Sequence, residues 1–512
     1  MSISSSIYIG TSGVMAQQES MSVISDNIAN MSTVGFKSSR LLFSNLLSQE
    51  LTGASVGNQI GQGVGVSSVW RDMDAGPLET TNNSMDMAIS GNGFFMVSPP
   101  ESEDVYYTKA GNFTFDKDGY LLDPNKNVVQ GYQLTPEEMK NGLTAIPAED
   151  APLQDVKLST ENGDPIVSTP EMTSKVQMMV NLDSGSQDLS VNEDSPFTAL
   201  FTNWDATAEE PLGAGSYTYT SALKIYDANG DAHVVTAYFD PASESTESPS
   251  GHTTWEYLLT VPPEEDGSAL NTKAGILMAG TLTFSPAGEL DNLSAFQGTT
   301  DDATTWTPVP LSEDGFPTFT MTLADGTAIT SSLDFGVNAT GEWDLKGGAA
   351  TMAELGNDPT ALPKLADAQK NPLSTTAYAT GSSTIHQSQN GYAEGALQST
   401  HVDGNGIIVG KFSNGQEQEL YKIALADFIN PQGLFREGGN LFSATKDSGA
   451  ATSGWAGEGK LGSIVGSTLE NSNVDLATEF VHMITTQKAF DANSKVITTS
   501  DQVVQTALGM KK

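Results

Sequence analysis

The chain has 512 residues, a formal net charge of −40 and no cysteine. That charge repels nucleic acid and anionic lipid, and the lack of thiols excludes a disulfide framework, a thiolate metal site and a cysteine nucleophile. The length exceeds what one core holds, so several domains are expected.

Ile7, Val14, Met21 and Ile28 recur every seven residues, with Ile24 on the same face, which predicts an amphipathic helix from near Ile3 to Asn30. Gly35 stands where a left-handed residue would end it. Residues 36–85 are rich in Ser, Asn and Gly, with four glycines from Gly57 to Ser68, and read as a linker with a few extended pieces. The period then falls to two. Met87 to Val97, Tyr106 to Phe115 and Tyr120 to Tyr132 read as strands, with hairpin turns at Gly91-Asn92-Gly93 and Asp118-Gly119.

From 147 to 375 strand-like islands stand in Thr-, Ser-, Asp- and Gly-rich sequence. The clearest are Val176 to Leu182, Tyr217 to Tyr226, His233 to Phe239, Trp255 to Val261 and Gly280 to Phe284, with a hairpin turn at Asp227 to Asp231. This is an all-β insertion with room for a division into two near residue 298. Strands resume at Ile407 to Phe412 and Leu420 to Phe428, and residues 438–466 read as a second linker. The last element is a long helix with a stripe of Leu476, Met483, Phe490, Ile497 and Val504, supported by Phe480 and Leu508. Ser472 and Asp475 suggest its capping box. Gln487, Ser494 and Asp501 interrupt a second row of the stripe, which argues against a simple two-stranded zipper.

The expected fold is mainly β with terminal α-helices, nested and multidomain. Residues 1–35 and 467–512 form a helical assembly domain, 36–85 and 438–466 linkers, 86–146 and 376–437 a discontinuous β domain, and 147–375 the outer insertion. The charge follows this nesting. Residues 1–85 hold three basic and six acidic side chains and 465–512 hold four and five, which leaves −36 of the charge between them. Nearly neutral ends limit repulsion if they pack against copies of themselves, while an acidic outer part stays soluble.

No catalytic, cofactor or metal site is expected. Gly61-Gln62-Gly63-Val64-Gly65 has the wrong spacing for a dinucleotide fingerprint, and no Gly-Lys-Ser/Thr follows. Asp116, Asp118 and Asp123, and Asp227, Asn229 and Asp231, lack the twelfth-position Glu of a calcium loop and suit Asx turns. His233, His252, His386, His401 and His482 show no zinc spacing. No stretch approaches the roughly 20 apolar residues of a membrane span, and with Lys37 as the first basic residue a cleaved secretory signal is not expected.

Ser12-Gly13, Ala16, Met21, Ile24-Ser25, Asn27-Ile28-Ala29-Asn30 and Thr33-Val34-Gly35-Phe36-Lys37 resemble the N-terminal signature of bacterial flagellar rod, hook and hook-associated axial proteins. Leu469 to Leu476, Glu479-Phe480, Met483-Ile484, Gln487, Phe490 and Ala492 to Lys495 are similar to that family's other end. Ala110 to Phe113, Asp118 to Leu121, Gly131-Tyr132, Asn181 to Asp183, Phe412 to Gly415 and Phe428 to Leu434 resemble its hook members. The resemblance implies a non-enzymatic structural subunit outside the cell, exported through the flagellar type III apparatus without signal cleavage. It also implies self-polymerisation into a curved tube that transmits torque from rod to filament, with hook cap, distal rod and hook–filament junction proteins as partners. A distal rod or hook-associated role is the alternative within the family. A carbohydrate-binding adhesin is the alternative outside it.

Overall fold

A computed structural model describes residues 3–46, 49–50, 59–100, 102, 104–143, 152–159, 164–243, 251–346 and 348–510. Gly57 and the expected boundary at 146–147 lie outside the described residues. The chain forms two compact units, one made of Met1–Val167 with Ala396–Lys512 and the other of Ser168–Gly395. The fold is mainly β with paired terminal helices, as the sequence leads one to expect.

In the first unit the N-terminal helix spans Ile3–Ala29 and the C-terminal helix Leu476–Gly509. Asp475 alone caps the latter, accepting from Ala477 N at 2.9 Å. The expected capping box does not form, because Ser472 Oγ accepts from Val474 N outside the helix. Gly35 has φ +70°, and a Cβ there would lie 2.6 Å from Ala110 N, but the helix already ends at Ala29, so Gly35 shapes the turn that follows and does not itself close the helix.

Strands from before and after the insertion pair with each other. Leu78–Thr80 pairs with Thr468–Glu470, and Met87–Ser90 with Ser463–Gly466. Val128–Gln133 and Phe94–Ser98 both pair with Glu417–Asp427. The Gly91-Asn92-Gly93 turn therefore joins two strands with different partners and is not a hairpin. Phe94–Ser98 pairs instead with Tyr106–Thr108 and Val128–Gln133. The Asp118-Gly119 turn does close a hairpin, between Thr114–Phe115 and Leu121–Leu122, with Asp116 Oδ1 accepting from Asp118 N and Tyr120 N. The core below holds Met87, Ile89, Phe95, Phe113 and Phe412, with the Phe95 and Phe113 rings edge to face at 5.2 Å.

The segments read as linkers carry strands. Ser39–Asn45 and Val64–Arg71 form an antiparallel hairpin, and Leu441–Ser443, Thr452–Trp455 and Ser463–Gly466 all pair. The hairpin escaped the sequence pattern for a physical reason: both its faces are largely exposed, so no inside-outside alternation marks it.

The second unit has a six-stranded antiparallel meander running Tyr219–Tyr226, Ala232–Pro241, Thr253–Thr260, Ile276–Phe284, Leu290–Gln297 and Thr307–Pro308. A four-stranded sheet combines Thr318–Thr322, Ala328–Asp334, Lys175–Asn181 and Ser383–Gln389. Val176, Met178 and Phe319 of the smaller sheet share a core with Phe239, Tyr257 and Leu282 of the larger. The other face of the meander is covered by Leu200, Phe201, Trp204, Trp306, Met352 and Leu355. Burial on both faces explains why its central strands are apolar almost throughout. Residue 298 lies between two strands of this one sheet, since Gln297 pairs with Thr307, and no division of the unit falls there. The turn at Asp227 to Asp231 closes the first hairpin of the meander, with Asp227 Oδ1 accepting from Asn229 N and Asp231 N.

Two carboxyl groups sit inside this unit. Asp240 and Glu256 face each other across neighbouring strands, and both are buried. Ser190 Oγ lies 2.8 Å from Asp240 Oδ2 and 2.5 Å from Glu256 Oε1, and one hydroxyl proton cannot serve both. Burial pushes Glu256 up to about 8 and raises Asp240, so a protonated Glu256 can donate to Ser190 Oγ while that hydroxyl donates to Asp240 Oδ2. Leu189 N, Ser190 N and Leu200 N donate to the same two groups and pin this segment to the sheet.

Candidate assembly interface

The terminal helices run antiparallel and meet through small and polar residues. Asn27 Nδ2 donates to Glu479 Oε1 at 3.1 Å and to Ser39 O at 2.8 Å, while its Oδ1 accepts from Ser39 N. Fourteen positions away on both helices, a Cβ added to Gly13 would stand 2.7 Å from the Asn493 side chain. A Cβ on Gly10 would stand 2.9 Å from Ile497 Cγ1. Glycine thus sets how closely the two backbones approach. Glu479, Thr486 and Asn493 follow heptad spacing, and the first two are the buried residues of the C-terminal helix. Ala16 and Ile24 are buried on the N-terminal one.

The expected stripe residues divide. Ile24 is buried, and Ile7, Val14, Met21, Ile28, Leu476, Met483, Ile497 and Val504 are half-buried. Phe480, Phe490 and Leu508 are exposed, at 49%, 36% and 67%. Exposed Val481, Ile484, Val496 and Val503 join them, as do Tyr8 and Met15 on the N-terminal helix. Of the interrupting polar row, Gln487 and Asp501 are exposed and Ser494 half-buried. The apolar heptads missed Gly10, Asn27, Thr486 and Asn493 at the intrachain seam. The spacing of Gly10, Gly13 and Ala16 was the available sign, because small residues three apart leave a groove on one helix face.

At the foot of the helix pair the two terminal signatures converge. Lys37 Nζ lies 2.5 Å from Glu470 Oε1 with both side chains buried, and it also donates to Asp74 O. Gly76 N donates to the same carboxylate, and Gly35 N to Glu470 O. Asn473 Oδ1 accepts from Ser38 N while its Nδ2 donates to Asp72 O. A buried ion pair adds little net stability, but losing one partner strands the other charge, so the junction specifies geometry more than it strengthens the fold. Nearby, burial pushes Lys109 down to about 8, opposed by Glu470, and its Nζ donates to Gly91 O. A groove of about 840 Å³ runs beside this foot, lined by Val23 and Ile24, Leu41 and Trp70 of the exposed hairpin, and Thr478 and His482. Among the described residues no cluster of His, Asp or Glu is arranged to hold a metal, and no helix is long and apolar enough to cross a membrane.

Helices joined at a specified foot, with apolar side chains left outward along their length, define a subunit of a larger helical assembly. Family comparison gives that class its particular form. Residues 7–37 match the flagella basal body rod protein family and 88–196 the flagellar hook protein FlgE/F/G D1 domain. Residues 202–392 match the flagellar basal body protein FlaE D2 domain, and 465–510 the flagellar basal body rod FlgEFG protein C-terminal family. The chain is 30% identical to the flagellar hook protein FlgE of Borreliella burgdorferi, over 99% of both chains. It is also 30% identical to that of Escherichia coli, over 98% of both. A crystal structure of Helicobacter pylori flagellar hook protein FlgE2 aligns with 77% of this chain and all of that one, at 17% identity and a TM-score of 0.41. The chain belongs to the flagellar hook protein FlgE family and is a structural subunit of the bacterial flagellar hook.

Proposed function

We propose that the chain polymerises, without enzymatic activity, into a curved flexible tube that transmits torque from rod to filament. The stripe residues from Ile7 to Leu508 pack its inner layer, and the acidic β units lie outside. The subunit leaves the cell through the flagellar type III apparatus without signal cleavage and adds beneath a hook cap, with distal rod and hook–filament junction proteins at its ends. The observation that carries this reading is the row of exposed apolar side chains on helices whose intrachain seam is already filled by Gly10, Gly13, Asn27 and Asn493. The exposed parts of those side chains face water in the single chain, and their burial between copies supplies about 25 cal/mol per Å². The test is Phe490→Asp. The β units should melt like those of the parent chain while electron microscopy finds no hooks, and normal hooks from this variant would overturn the reading.

A further inference from the structure

Ile429 is 92% exposed, more than any other large apolar side chain among the described residues. It stands between Phe428 and Leu434, both buried. The Phe428 ring packs edge-on against Tyr107 at 4.8 Å and Phe94 at 5.9 Å. The backbone beyond is braced from three sides. Asn430 Nδ2 donates to Asp447 O at 2.9 Å, and Thr445 Oγ1 donates to Gly433 O at 2.6 Å. The Gln432 side chain accepts from Arg71 N and donates to Arg71 O, while Arg71 Nη2 donates to Leu434 O. Gly433 has no room for a side chain, since a Cβ would lie 2.4 Å from Asp447 C. Ile429 is thus held outward by a loop fixed on both flanks. A side chain held in its binding position loses little freedom on contact, which is what makes a preorganised anchor effective.

We propose that Ile429 is an anchor that inserts into a second copy of this chain in the polymer. The inference rests on the polymerising role given above and adds a contact outside the helices. Two observations select a second copy. Residues 428–435 carry no charge in a chain of net charge −40, so the loop brings no acid of its own to the surface of another acidic copy. The loop also adjoins the helix-foot groove, which Gln432 and Arg71 both line beside exposed Trp70, and Phe435 on its outgoing side is exposed as well. The contact is heterologous, since a loop on one copy meets a different surface of the next, and such contacts build open helical polymers.

The absence of native cysteine makes the test direct, because Ile429→Cys carries the one thiol. Maleimide should label the monomer readily and hooks sheared from cells at least tenfold more slowly. Failure of this variant to form hooks, with its monomer melting temperature unchanged, would also support the anchor. Equal labelling of monomer and hook overturns it. Protection confined to the hook ends overturns it too, in favour of a different protein as partner. Hooks that assemble with a freely reactive residue 429 leave the helix packing standing, whereas normal hooks from Phe490→Asp defeat the wider reading.

Discussion

The strand Thr253–Thr260 buries seven of its eight residues, whereas the helix Leu476–Gly509 buries two of thirty-four, Glu479 and Thr486. The strand finishes its packing inside one chain, between two layers of side chains. The helix meets its intrachain partner through small and polar groups and leaves Phe480, Val481 and Ile484 in water. The second unit, central in the chain, holds a large apolar core of its own. The helix pair has only a thin intrachain seam, and the apolar surface it leaves exposed is what the proposed contacts between copies would cover.

Substitutions can break that contrast. The largest effect on the monomer belongs to Trp306→Ala. This ring is fully buried with Nε1 donating to Thr300 O, so its loss should cost the central unit about 3–5 kcal/mol in chemical denaturation while the helical circular dichroism is kept. Next comes the buried carboxyl pair. The native state keeps a proton on Glu256 where the unfolded chain has released it, so stability of the central unit should fall as pH rises from 4.5 to about 8. The slope approaches about 1.4 kcal/mol per pH unit where linkage is complete. Glu256→Gln should flatten that dependence in melts across pH 5 to about 9, and an unchanged slope would show that the proton sits elsewhere. Gly13→Leu should force the helices apart against Asn493, costing about 1–3 kcal/mol at the seam and abolishing hooks, with the melting of the central unit unchanged. The smallest monomer effect, within about 0.5 kcal/mol, belongs to the exposed Val481→Asp, which should nevertheless prevent hook assembly as judged by electron microscopy.

Much of the architecture is legible locally. Heptads mark both helices, the N-terminal one within a residue of its expected span, and Asp-rich turns place hairpins at Asp118-Gly119 and Asp227 to Asp231. The terminal signatures contain Gly35, Lys37 and Asn473, which folding brings together at the foot of the helix pair. The helix seam is not legible, because apolar periodicity marks the face that avoids water and cannot say whether its cover comes from the same chain. Gly10, Gly13 and Asn493 pack by closeness of backbone, which hydrophobicity does not record.

The sequence by itself determined the terminal helices, many of the strands, the Asp-rich hairpin turns, the concentration of acid away from the ends and the family. Those follow from side-chain direction repeating along a backbone and from residue chemistry at fixed spacing. Only the tertiary structure decided that Met87–Ser90 pairs with Ser463–Gly466, that one sheet runs through residue 298, and that Ile429 is held in solvent. The first of these joins residues hundreds of positions apart, and it is selected by the shape and hydrogen-bonding needs of the whole core rather than by any local period.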